Sequence, residues 1–528
     1  MTAAKALAHG WIDDHRTVLS AWHRTIWEFA EPAWREYRSA AWFVERLRSE
    51  GFEVESGSAG MPTAFAASWT NGPGPTVAGY AEYDAVPGNC QAATTRREPR
   101  AGLSEFAAGH TDPHSALGIG ALAGILATKY AMTTGGVTGT LKFFGEPAEK
   151  VQGSKLVHGL RGYYDGIDAI VSYHPFYMLP LCNTTRWDTH CGAYSSRIYS
   201  FICDQSETWP AAASDSPIAA AHSAARAPGA NVSLFTMYAL TKATTESMLA
   251  HSGGWSLNEA ILTAGQATAD NLPAHIAQIN YAWRTPEIRM ADAVLEVLDR
   301  NAEHAAAAGH CRLVKRWVSR TRPGVPNKVL AELTYRNLEA VGPPRYGAEA
   351  IALAREIQRG LGLEPMAKPF LAACESLIEP RDAEAKLRQQ MPAWQTHWTS
   401  DDYVEMTWYA PTVRLYVARP MLAVPPGYGG YPSWVANALG GLAPCIDPTV
   451  IVAGKTIAGT LLDLLGQPDK VAAARAEFNE RARGAHFVAP LLPKDFEAPI
   501  DYRWPEYAAT PRGADWWIPR TADLEPSA

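Results

Sequence analysis

Apolar positions along the chain switch between two periods, and the switches outline an α/β protein. Residues 11–50 alternate apolar and charged positions at helical spacing, with Trp22, Ile26, Phe29, Ala40 and Phe43 on the faces that would be buried. Residues 51–55 and 75–83 read as strands, the second leading into Glu82-Tyr-Asp-Ala-Val-Pro-Gly88, where Pro87-Gly88 signals a turn. A long apolar run at 116–130 predicts a buried helix. Short runs at 139–145 and 169–173 predict buried strands, with room for a further helix between them. Residues 89–107 are polar and carry Arg96, Arg97 and Arg100; they read as a solvated loop.

The character changes after His174. Strand-like runs at 194–203, 259–265, 277–284 and 311–321 alternate with helical patterns at 231–249 and 288–308. That order, strand-helix-strand-strand-helix-strand, is a split βαβ module of two layers. Arg322-Pro-Gly-Val-Pro326 closes it, and helical patterns resume at 328–338, 348–360 and 450–465, with a turn-rich, site-like segment at 399–408. The expected architecture is a catalytic α/β domain with a mixed, mainly parallel sheet covered by helices, plus an inserted α+β lid. The expected boundaries are 1–192 and 323–470 for the catalytic domain and 193–322 for the lid. Residues 471–528 would form a surface-packed extension that carries one more helix, then Trp504, Trp516 and Trp517.

Composition narrows the classes. A net charge of −7 over 528 residues, with no basic stripe, argues against a nucleic-acid surface and for a small-molecule partner. Seven scattered cysteines give no spacing for a structural zinc or a disulfide framework, which fits a cytoplasmic chain. No secretory leader is evident and no apolar run reads as a bilayer span, so no membrane partner is expected.

Candidate chemistry gathers in three stretches: Ala108-Gly-His-Thr-Asp-Pro-His-Ser115, Gly145-Glu-Pro-Ala-Glu-Lys150 and Ser172-Tyr-His-Pro175. The first opens the long helix, and the other two follow predicted strands. In an open α/β sheet such ends share one crevice, so Asp112, His114, Glu149 and His174 would converge there. The bland readings are a helix cap for Asp112, a first-turn polar residue for His114, and a structural ion pair between Glu149 and Lys150.

These stretches, with Ala30-Glu-Pro-Ala-Trp-Arg-Glu-Tyr37, Ala59-Gly-Met-Pro-Thr-Ala64 and Ala81-Glu-Tyr-Asp-Ala-Val-Pro-Gly88, resemble the aminoacylase/carboxypeptidase-type co-catalytic metallopeptidases, and more narrowly their amidohydrolase branch. The resemblance covers the chain to about residue 480. It implies a catalytic α/β domain holding two divalent metals, a lid that also makes a homodimer, and amide hydrolysis by metal-activated water. It gives Glu149 the role of general base and His174 that of a metal ligand, and Asp112-Pro-His114 replaces the branch's Cys-Gly-His. Two ligands are lost: Lys150 stands at a metal glutamate, and Pro432, before Ser433-Trp434, at the last metal histidine. An ammonium and a proline ring offer no lone pair to a cation.

The resemblance therefore implies one divalent ion at most, zinc or manganese, on Asp112, His114 and His174, with Glu82 as a further oxygen donor. It assigns oxyanion stabilisation to His222, reaching from the partner subunit, and substrate-carboxylate binding to Asn271 and Arg284. The expected reaction is hydrolysis of an N-acyl or N-aryl amino acid-like amide. The alternatives are a metal-independent acid/base step, with Lys150 supplying the positive charge, and a non-catalytic binding protein.

Overall fold

A computed structural model of the chain describes residues 2–176, 178–204, 228–249, 253–265, 273–484, 488–501, 506–510 and 513–517. Two compact units result. The first comprises residues 1–190, 325–393 and 403–528, and the second comprises residues 191–324 and 394–402.

The first unit is built on a seven-stranded sheet. Its strands are β1 (Glu53–Ser56), β2 (Phe65–Asn71), β3 (Thr76–Ala81), β4 (Gly139–Gly145), β5 (Ala169–Phe176), β6 (Thr184–Thr185) and β11 (Thr412–Ala418). They lie in the order β1-β2-β4-β3-β5-β11-β6. The centre is parallel: β3 pairs with β4 and β5, and β5 with β11. The margins β1, β2 and β6 are antiparallel. A parallel centre must be covered on both faces, and the almost unbroken burial of β5 and β11 reflects that. Strands β1, β3, β4 and β5 fall where the periodicity puts them. Strands β2, β6 and β11 were not expected.

The helix predicted at 116–130 runs from His114 to Gly135 and packs along a second apolar helix, Ala443–Gly466. Glycines let the two backbones approach: a Cβ on Gly124 would lie 2.6 Å from Cγ2 of Ile457 and 3.2 Å from the Gly454 carbonyl oxygen. Contrary to the sequence expectation, both helices are long and apolar enough by length and composition to cross a membrane. Their most apolar windows are 83% and 89% buried inside the fold, as core helices are.

The second unit carries β7 (Ala193–Ile202), β8 (Ser256–Ala264), β9 (Ile276–Thr285) and β10 (Arg312–Thr321), an antiparallel sheet in the order β10-β7-β9-β8. Helices Ala230–Met248 and Ile288–Ala308 pack on it around Leu234, Met237, Trp283, Val294 and Leu298. This is the predicted strand-helix-strand-strand-helix-strand order.

The tail holds the expected extra helix, Pro468–Gly484. A hairpin of Glu506–Thr510 with Gly513–Trp517 follows, which the sequence did not suggest. Trp504 lies outside the described residues. None of the seven cysteines forms a disulfide.

Candidate active site

The carboxyl ends of β3, β4 and β5 meet the amino end of the helix His114–Gly135, and the polar residues at these ends face one another. His114 is fully buried, and its Nδ1 lies 2.6 Å from Oδ1 of Asp84. Asp84 also accepts the backbone N–H of Lys150 at 2.8 Å. It thus fixes the orientation of the imidazole and the height of the loop opposite. The N-cap of the helix His114–Gly135 is Pro113, not Asp112. Oδ2 of Asp112 lies 3.0 Å from Nζ of Lys150 and 3.5 Å from Nε2 of His174.

The loop after β4 bends sharply. Ala148 and Gln152 both adopt the left-handed backbone conformation, with φ of 57° and 53°, uncommon for residues with a Cβ. Buried Glu36 holds the bend by accepting the Ala148 N–H at 2.7 Å and the Thr63 hydroxyl at 2.9 Å. The short turn Glu149–Val151 between the two bends presents Glu149 and Lys150 side by side. Strain of this kind persists only where surrounding contacts over-determine it, and here it aims two charged side chains into the cleft.

Lys150 does not point to solvent. Its ammonium lies 2.8 Å from Oε2 of Glu149, 3.0 Å from Oδ2 of Asp112 and 3.2 Å from Nε2 of His114. At 3.2 Å the ammonium donates and the imidazole accepts. Burial and the Lys150 ammonium lower the pKa of His114, and Asp84 with Glu82 raises it to about 9. A charged ring would set a second cation 3.2 Å from the ammonium with no lone pair to accept. The ring that accepts from Lys150 is therefore the neutral one, with its proton on Nδ1, shared with Asp84. Burial would lower the pKa of Lys150, but Asp112 and Glu149 outweigh it and hold the amine well above its ordinary value. Burial raises Glu149, and the Lys150 ammonium beside it reverses this, leaving its carboxyl below the usual range. Asp112 is pushed up by burial and pulled well below by His174 and Lys150.

A second lysine was not anticipated. Lys155, in the helix Ser154–Leu160, is fully buried and places Nζ 2.8 Å from Oε1 of equally buried Glu82. The other oxygen of Glu82 lies 3.3 Å from Nε2 of His114. One turn on, His158 is clamped between Glu146 and Ser58, each at 2.8 Å.

Donor groups for a divalent cation are present. Glu82, His114 and His174 offer three ligand atoms within 4.8 Å of one another, as do Asp84, His114 and Glu149. The two-ion arrangement does not fit them. Around Asp112, Glu149 and His114, the place of a cation is filled by the Lys150 ammonium. A dication on His114 Nε2 would lie at most about 5 Å from that ammonium, a repulsion of roughly 6 kcal/mol at an effective dielectric of about 20. Pro432 caps the exposed start of the helix Ser433–Gly441 and offers no ligand.

Of the expected site residues, the structure brings Asp112, His114, Glu149, Lys150 and His174 together with Glu82, the expected further oxygen donor, and adds Asp84 and Lys155. Arg284, on β9, stands opposite Tyr194 with its guanidinium 5.2 Å from the centre of that ring. His222 and Asn271 lie outside the described residues.

Over 336 residues the chain is 28% identical to one of the subunits of p-aminobenzoyl-glutamate hydrolase from Escherichia coli. The chain is a relative of this hydrolase. The match takes in 64% of this chain and spans 65% of the length of the curated relative. No protein-family model matches. Among solved structures, the aminobenzoyl-glutamate utilization protein of Klebsiella pneumoniae superposes with a TM-score of 0.52 at 14% identity, covering 85% of this chain and 98% of that one. A Staphylococcus aureus protein described as an aminohydrolase superposes with a TM-score of 0.50 at 13% identity, covering 87% and 100%. These two likenesses are of fold. The resemblance read from the motifs holds at both levels.

Proposed function

We propose that the chain hydrolyses the amide bond of an N-acyl or N-aryl amino acid-like small molecule, at a site holding at most one divalent ion. The observation that carries this is the meeting of Glu149 and Lys150 with Asp112 and His114 at the carboxyl edge of the sheet. The relationship to p-aminobenzoyl-glutamate hydrolase supports the reaction class.

In this reading Glu149 takes a proton from a water that attacks the amide carbon, then hands that proton to the nitrogen as the C–N bond breaks, releasing the amine and the carboxylic acid. Lys150 faces the oxygen on which negative charge develops and stabilises it. The two roles help each other. An ammonium bound to Glu149 makes that carboxylate a weak base, and as the oxyanion forms it shares the ammonium, so Glu149 becomes more basic when it must hold the proton. Asp84 keeps His114 in the tautomer that can accept from Lys150 and so sets the direction in which the ammonium points. We assign oxyanion stabilisation to His222 and carboxylate binding to Asn271 and Arg284 within the same proposal.

The test is a panel of N-acetyl, N-benzoyl and p-aminobenzoyl amino acids, with release of the free amino acid followed by mass spectrometry. The native chain should release amino acid from at least one of them, and Glu149→Gln, which keeps the shape and removes the proton acceptor, should release none. Equal release by both proteins would remove Glu149 from the reaction.

A further inference from the structure

Each donor set in the cleft contains a carboxylate that already holds an ammonium: Glu149 with Lys150 and Glu82 with Lys155, both at 2.8 Å. The two sets also share one residue, His114. His114 commits Nδ1 to Asp84, so only Nε2 faces the cleft, and it lies 3.2 Å from Lys150 Nζ and 3.3 Å from Glu82 Oε2. We propose that Lys150 and Lys155 take up the two cation positions of this cleft, so that the native chain holds no divalent ion tightly and Lys155 is the permanent counter-charge of Glu82. The inference rests on the reading above only in taking this cleft as the site.

The surroundings of Lys155 keep it in place. Lys155 and Glu82 are both fully buried, and the ammonium also lies 5.1 Å from the centre of the Tyr80 ring. Separating a buried pair strands a charge out of water, so a metal ion that captured Glu82 would have to overcome that penalty before its own ligation counted. The helix cannot swing aside to relieve it. His158 anchors its second turn to Glu146 and Ser58. Before its first residue, Gly153 lies so close to buried Trp34 that a Cβ there would come within 2.4 Å of Cζ2 of that ring.

Lys150 excludes an ion from the other set by holding two of its three members, Glu149 and His114. Its ammonium makes three contacts of 2.8–3.2 Å to two carboxylates and an imidazole, the ligand types a hard or borderline cation would choose. Positive charge in the cleft then does not vary with metal supply, and both lysines arrive with the chain itself.

The experiment counts ions and does not depend on turnover. The full-length native chain, Lys155→Arg and Lys155→Met are dialysed against zinc or manganese, freed of loose ions, and analysed for bound metal and by calorimetric titration. The native chain and Lys155→Arg should retain no stoichiometric ion, and zinc should leave their melting temperatures unchanged. Lys155→Met frees Glu82 and should bind one zinc per chain, on the order of a hundredfold tighter than the native chain. One zinc or manganese held by the native chain, with a raised melting temperature, overturns the proposal. Should Lys155→Met fail to fold, the native chain and Lys155→Arg decide the question alone. A native chain free of metal that cleaves no amide sinks the hydrolytic reading and leaves this inference standing; a loaded native chain that cleaves one does the reverse.

Discussion

Lys150 is the residue on which the cleft turns, since its ammonium ties Asp112, Glu149 and His114 into one cluster. Replacing it with methionine leaves two neighbouring carboxylates without their counter-charge and removes the group facing the oxyanion. Turnover of Lys150→Met should fall by at least about a hundredfold, the usual loss of one oxyanion donor. Its pH profile should shift upward as the pKa of Glu149 rises; a native rate and profile would make the lysine a bystander. The alignment of motifs made Asp112, His114, Glu149, Lys150 and His174 legible in the sequence, but not Lys155. A lysine near the start of a helix reads as a solvated residue, and its burial depends on Glu82, which the fold brings to it from another strand end. Asp84 was legible only as a carboxylate at a strand end, because its bond to His114 is a tertiary fact.

Away from the cleft, His23 makes a pH prediction at the same scale. It is almost fully buried beside the Ser115 hydroxyl, at 3.1 Å, and burial followed by the nearby Arg24 lowers its pKa to about 3. The folded form therefore stays neutral between about pH 6.5 and 3 while the unfolded chain takes up a proton. Stability present above about pH 6.5 is lost as pH falls toward 3, by about 3 kcal/mol at about pH 4.5 from this residue. Urea unfolding at about pH 7 and about pH 4.5 should show a smaller loss in His23→Gln than in the native chain.

At the scale of elements, the paired helices His114–Gly135 and Ala443–Gly466 set the position of the cleft, because the first begins at His114. Their close approach depends on Gly124, where an added methyl would meet Ile457, a β-branched side chain with little room to turn. Gly124→Ala should cost about 1–3 kcal/mol by overpacking. Gly10→Ala, in the helix Ala3–Asp14 with nothing within 4 Å, should gain about 0.5–1 kcal/mol. Thermal unfolding of the two variants should move in opposite directions.

Most elements could be read from periodicity, and two of the strands that escaped have separate causes. Strand β11 carries Arg414 in the middle of a fully buried run, where its guanidinium bonds Tyr80 and Ser172 at 2.8 Å each; a charge there hides a core strand. Strand β2, Phe-Ala-Ala-Ser-Trp-Thr-Asn, is rich in small and polar residues and takes its place by pairing with β1 and β4.

At the scale of the whole molecule, β8 is, among the described residues, an edge strand of the split βαβ unit paired on one side only, with Ile261 exposed on it. The unit's helix Ala230–Met248 exposes Phe235 and Val232. Apolar side chains beside such an edge support the proposal that the chain forms a homodimer through residues 193–322. Light scattering at micromolar concentration should give twice the mass of one chain, and Phe235→Glu should shift it toward the monomer. A monomeric mass for the native chain would count against the dimer.

Amide hydrolysis in this cleft, as proposed, runs on the charges of the chain's own lysines. The most direct test is turnover of an N-acyl or p-aminobenzoyl amino acid after exhaustive dialysis against a strong chelator, compared with the same protein given zinc or manganese. The predicted result is a rate that survives the chelator, is unchanged by added metal, and disappears in Glu149→Gln. A rate that vanishes with the chelator and returns with the ion would contradict it.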